Sequence, residues 1–100
     1  MAYEVRLTDW ALRFIQENVS VESTFSRFEW AVEILGEFPS FGHDYSPSYP
    51  AARPPFPCRC LSLSDTPFTL YYVVDSEAEC VTIFDIEWSA GDPAKRFSGF

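Results

Sequence analysis

Basic residues are scarce in this 100-residue chain: seven Lys and Arg stand against fifteen Asp and Glu, a formal charge of −8. That excess excludes whole-molecule attraction to nucleic acid or to an anionic membrane surface. Long apolar runs are missing, so no segment is expected to span a bilayer. The first ten residues carry Glu4, Arg6 and Asp9 among apolar neighbours and do not look like a signal peptide, so a cytoplasmic location is expected. Histidine occurs once, at His43, and cysteine three times, at Cys58, Cys60 and Cys80. An odd set of thiols without a secretory signal reads as reduced cysteines. Cys58 and Cys60 are two apart, which suits one strand face and not a disulfide. With no CxxC pair and one imidazole, neither a metal site nor a cofactor is expected. The chain also lacks a P-loop, a GxGxxG turn and a serine nucleophile elbow.

What is present is apolar surface. Hydrophobic residues make up 47% of the chain and aromatic ones 18%, enough to offset chain entropy in one small domain. Residues 2–7 alternate, with Tyr3, Val5 and Leu7 facing inward, as in a half-buried strand. Thr8 or Asp9 then caps a helix whose buried side is Leu7, Trp10, Ala11, Phe14 and Ile15, fading near Asn18 to Ser20. A second helix restarts at Ser20 or Ser23. Val21, Phe25, Phe28, Val32 and Leu35 form its packing stripe, and Gly36 and Pro39 end it. Its outer side, Glu22, Glu29, Glu33 and Glu37, is acidic.

Residues 39–57 hold six prolines and no period, which reads as a loop of binding or variable character, with Tyr45, Tyr49 and Phe56 to dock it. Three strands follow at hairpin spacing: Arg59 to Ser64, Phe68 to Val74, and Cys80 to Trp88. Strict alternation sets Phe84, Ile86 and Trp88 against Val81, Ile83, Asp85 and Glu87, and Phe68, Leu70, Tyr72 and Val74 against Thr69, Tyr71 and Val73. The expected fold is α+β: an N-terminal strand, a two-helix hairpin, then a three-stranded antiparallel sheet packed on the helices. Residues 1–88 make the domain, and 89–100 a loose tail.

That order of elements resembles the RelE/ParE toxin superfamily of bacterial type II toxin–antitoxin systems. Tyr3-Glu4-Val5-Arg6-Leu7-Thr8 with Ala11 and Phe14 is similar to the family's opening strand and helix. Phe68-Thr69-Leu70-Tyr71-Tyr72-Val73-Val74-Asp75 and Val81-Thr82-Ile83-Phe84-Asp85-Ile86 resemble its later strands. The resemblance implies a small domain wrapped by an antitoxin. It further implies ribosome-dependent mRNA cleavage in the RelE branch and inhibition of DNA gyrase in the ParE branch.

RelE-type cleavage uses lysines and arginines to hold RNA phosphates and to stabilise charge at the scissile phosphate. Those positions are not basic here. The arginine of the family's "YR" pair is Thr69, the basic strand before it reads Cys60-Leu61-Ser62-Leu63, and the arginine after the last strand falls at about Trp88 or Ser89. From Cys60 to Ala94 there is no Lys or Arg, but seven acids. No catalytic residue is therefore assigned, Arg59 and Tyr71 being the nearest candidates. The exposed sheet face is expected to present Thr69, Tyr71, Asp85 and Glu87 for binding, with Lys95 and Arg96 of the tail beside it. Asp85 and Glu87 as a Mg²⁺ pair are a common pattern of solvated acids and no metal site.

Three functions compete. The first is a toxin-fold protein that binds an antitoxin or cellular target, with RNA cleavage lost and no direct contact with nucleic acid. The second is an active toxin whose contacts come from Arg53, Arg59 and Lys95-Arg96. The third is an acidic module mimicking nucleic acid, which requires acids ranked along one surface.

Overall fold

The structure, a computed structural model, describes residues 2–45, 56–90 and 97. Tyr49, Arg53, Lys95 and Arg96, named above, lie outside them, as does most of the tail. The elements are β1 (Glu4–Leu7), α1 (Asp9–Asn18), α2 (Glu22–Glu37), β2 (His43–Asp44), β3 (Arg59–Ser62), β4 (Phe68–Asp75) and β5 (Cys80–Trp88).

Thr8 caps α1 as its sequence position suggests: its hydroxyl accepts the Ala11 N–H at 3.3 Å. Serine does not cap α2. Val21 stands at that N-terminus and offers no side-chain acceptor. Gly36 lies inside the last turn of α2, not beyond it, and serves close packing. Its carbonyl accepts the Tyr3 N–H at 2.7 Å, and a Cβ there would stand 3.2 Å from the Tyr3 carbonyl oxygen.

The strands form one sheet in the order β1-β5-β4-β3-β2, with β1 parallel to β5 and the other pairs antiparallel. The fold is α+β, as expected. Two strands extend the expected three-stranded sheet: the N-terminal strand joins it beside the last one, and the two-residue β2 comes from the Pro-rich segment. Turns at Asp65 and Glu79 use left-handed φ values of 62° and 52°. In the second turn the Asp75 Oδ1 accepts the N–H groups of Glu77 and Ala78, both at 3.1 Å.

The main core lies between the sheet and both helices, built on Ala11, Phe28, Ala31, Leu35, Leu70, Tyr72, Val81, Ile83 and Ile86. The α2 stripe is displaced from its sequence reading. Ala31 is buried, whereas Val21 and Phe25 are 57% and 39% exposed. The reason is that the two helices do not pack as a close hairpin. No Cα of α1 comes within 8 Å of one of α2, and each rests separately on the sheet.

Candidate functional site

β5 departs from strict alternation at one position, and the site depends on it. Tyr71 pairs with Asp85 and Tyr72 with Ile83, so Phe84 is an extra residue in the ladder. This β-bulge reverses the parity of β5. Val81, Ile83 and Ile86 all face the helices, while Phe84 turns to the opposite side of the sheet. A period of two has no way to anticipate an inserted residue.

The opposite side is a second core, where the sequence predicted an exposed binding face. Tyr71 and Phe84 are each 3% exposed and Cys58 8%, and Phe97 of the tail is 5% exposed. The Phe97 ring lies 4.8 Å from Tyr71 edge-on, 5.6 Å from Tyr45, and stacks 6.2 Å from Phe84. Phe56 covers Phe84 at 4.7 Å. Edge-on rings at such spacings match the aromatic quadrupole. Tyr45 and Phe56, at the two ends of the Pro-rich segment, pack on this core, and Tyr49 lies outside the described residues; Phe97 carried no sequence signal beyond its aromaticity. Its φ of 64° is unusual for a bulky residue and is held by these contacts.

Three of the four predicted face residues are consequently buried. Thr69 is 7% exposed, Tyr71 3% and Asp85 0%; Glu87 is half-buried. Thr69 belongs to a hydroxyl chain, 3.3 Å from the Ser62 hydroxyl and 2.7 Å from that of Ser89. Tyr71 lies in the second core, so both Tyr71 and Tyr72 are buried rather than one of them.

Asp85 is the chemically unusual group. The segment between β1 and α1 closes the free edge of β5: Thr8 donates its N–H to the Ile83 carbonyl at 3.1 Å and its hydroxyl to that of Phe84 at 3.3 Å. The Trp10 indole N–H then donates to Asp85 Oδ1 at 2.9 Å. Asp85 Oδ2 is buried and accepts no N–H among the described residues. Glu87, two residues on, supplies a donor only when protonated. Burial pushes the Asp85 carboxyl above the usual aspartate range, offset in part by hydrogen bonds from Glu87, Trp10 and the Ile86 backbone.

Arg59 is a clamp. One guanidinium nitrogen donates to Asp44 Oδ1 at 2.6 Å and another to the carbonyls of Ser40 and Gly42, at 3.0 and 2.9 Å. Its Nε is buried and has no partner among the described residues. Gly42 is fixed from the other side, donating its N–H to the Tyr72 hydroxyl oxygen at 3.0 Å. Arg6 and Arg27 are committed as well, to Glu4 at 2.9 Å and Asp65 at 2.8 Å. The buried Cys58 thiol is pushed up to about 11 by desolvation, with Cys60 and Asp85 adding to it, which makes it a poor nucleophile. All three cysteines are free. Among the described residues no group of three or more His, Cys, Asp or Glu is placed to hold a metal ion. No described helix is long and apolar enough to cross a membrane.

No family model matches the sequence, and no curated protein matches it in sequence. Solved structures do match in three dimensions. RelE of the archaeal RelE–RelB complex from Pyrococcus horikoshii is 14% identical with a TM-score of 0.69, covering 90% of this chain and 98% of that one. The RelBE2 toxin–antitoxin complex of Mycobacterium tuberculosis matches at 20% identity and a TM-score of 0.66, covering 91% and 95%. Isolated E. coli RelE matches at 19% identity and a TM-score of 0.64, covering 90% and 87%. The likeness shows the fold: this chain is built as RelE toxins are.

Proposed function

We propose that this RelE-like fold acts by binding another protein, an antitoxin or a cellular target, and does not cleave RNA. The observation that carries the proposal is the state of the sheet's second face. It is a closed aromatic core with a buried carboxyl where a phosphate-handling surface requires exposed cations. A phosphodiester brought there meets the half-buried Glu87 and no cation of β4 or β5, while Asp85 lies beneath the surface. The arginine of β3, Arg59, is held by three acceptors on the β2 side, and releasing it costs those bonds. β4 and β5 contribute no base at all.

Protein binding is supported by the surface instead. Trp10, Leu12, Val21, Phe25, Trp30 and Trp88 are all at least 38% exposed, and tryptophan supplies contact area at low entropic cost. Among the solved structures of like fold, several are complexes with RelB antitoxin.

The test is induced expression in bacterial cells with mapping of messenger 5′ ends. No new ends within reading frames are expected, for the wild type or for Arg59→Ala. Accumulating ends that vanish in Arg59→Ala would overturn the proposal.

A further inference from the structure

Because α1 and α2 stand apart on the sheet, they leave between them an open apolar cavity of about 220 Å³. Its walls are Ile15 of α1 and Phe25, Phe28 and Val32 of α2, and its floor includes Leu70 and Ile83 of the sheet. Every lining side chain except Glu29 is apolar. A cavity of about 150 Å³ lined by Leu, Ile and Phe is already enough to hold a benzene ring. This one is larger and opens to solvent, so it has room for one bulky aliphatic or aromatic side chain entering from outside. The apolar lining continues outward at the exposed Phe25, and Val21, one turn before it on the α2 stripe, is exposed too.

Charge selects what enters. Glu29 is exposed and lies in the cavity wall, and Glu22 and Glu33 are exposed on the same helix. A second copy of this chain brings another −8 and is repelled. We infer that the cleft between α1 and α2 is the docking site for a basic, amphipathic segment of a partner protein, one bulky apolar side chain filling the cavity and flanking Lys or Arg meeting the acids of α2. This rests on the protein-binding function proposed above and names the chemistry of the partner.

Three fluorescein-labelled 16-residue peptides test it by anisotropy: one with a leucine stripe on a lysine background, one with leucine and glutamate, one with serine and lysine. The leucine–lysine peptide is expected to bind at least tenfold more tightly than either other, with affinity falling as salt is raised. Its amide shifts in ¹H–¹⁵N spectra should centre on Phe25, Phe28, Glu29 and Ile83. Val32→Phe fills the cavity and should remove the advantage of leucine over serine while the melting temperature holds or rises. Should that variant fail to fold, Glu29→Lys is surface-exposed and should weaken the leucine–lysine peptide by about tenfold. Equal binding of the three peptides, shifts centred elsewhere, self-association on sedimentation, or indifference to both substitutions overturns the inference. If the peptides fail while messenger stays intact in cells, the docking site is wrong and the absence of cleavage stands; cut messenger refutes the function itself.

Discussion

Replacing Asp85 by asparagine should stabilise this protein, although it alters a residue with no exposed surface. Oδ1 of the wild-type carboxyl accepts the Trp10 indole N–H, Oδ2 is buried with no donor among the described residues, and Glu87 interacts with the same carboxyl. A buried polar atom left unsatisfied costs about 1–3 kcal/mol, and more when it bears charge. Asparagine keeps an oxygen for the Trp10 indole and turns an amide donor toward Glu87. The expected gain near pH 8 is therefore about 1–3 kcal/mol, which for a domain of this size raises Tm by about 4–8 °C per kcal/mol.

The gain must depend on pH. Burial raises the folded-state pKa of Asp85 above its ordinary value, so between the two the folded protein holds a proton that the unfolded chain has released. The stabilisation from that proton is fully present below the ordinary aspartate pKa and is lost as pH rises through the folded value. Wild-type Tm, followed by circular dichroism from below the ordinary aspartate pKa up to pH 8, should thus fall more steeply than that of Asp85→Asn, and the two should converge toward the acid end. A variant less stable than wild type across the whole range, or one with an unchanged slope, would mean that the buried Asp85 carboxyl is not a source of instability.

Other expectations follow from particular contacts. Gly42→Ala places a methyl group against the Cys60 carbonyl and the Tyr72 hydroxyl and should cost about 1–3 kcal/mol, read by urea denaturation. Phe97→Ala strips the ring that covers Tyr71 and Phe84 and should cost about 3–5 kcal/mol. In the same variant Cys58, protected in wild type at pH 8, should react measurably faster with a thiol reagent; unchanged labelling would mean that Phe97 does not close that face. Leu35→Ala, emptying a fully buried site under α2, should cost about 2–5 kcal/mol by the same denaturation measurement.

Most elements were legible because their periods are local properties. β1, α1, β4 and β5 form where alternation or three-and-four spacing points, and Thr8 caps the helix that its position suggests. What escaped depends on pairing across the chain. The extra residue at Phe84 exists only relative to β4, yet it decides which side of the sheet every later β5 side chain takes. Val21 and Phe25 fit the α2 stripe but stay exposed, because the distance between helices is set by the sheet beneath them. The candidate site was half legible. The lack of cations on the late strands is a fact of sequence and it survives in three dimensions. The expected open face does not, since its cover comes from Phe56 and Phe97, remote in sequence from the strands they cover. Arg59, the nearest basic candidate, proved to have its partners in Asp44, Ser40 and Gly42, across a segment with no readable period.

In the function proposed above, a RelE-like fold lacks RelE-like chemistry. The most direct measurement is primer extension on a defined mRNA held by translating ribosomes, after incubation with purified protein at a concentration equal to that of the ribosomes. Full-length extension, indistinguishable from ribosomes alone, is expected. Discrete stops within the ribosome-bound codon, appearing only with the protein, would contradict it.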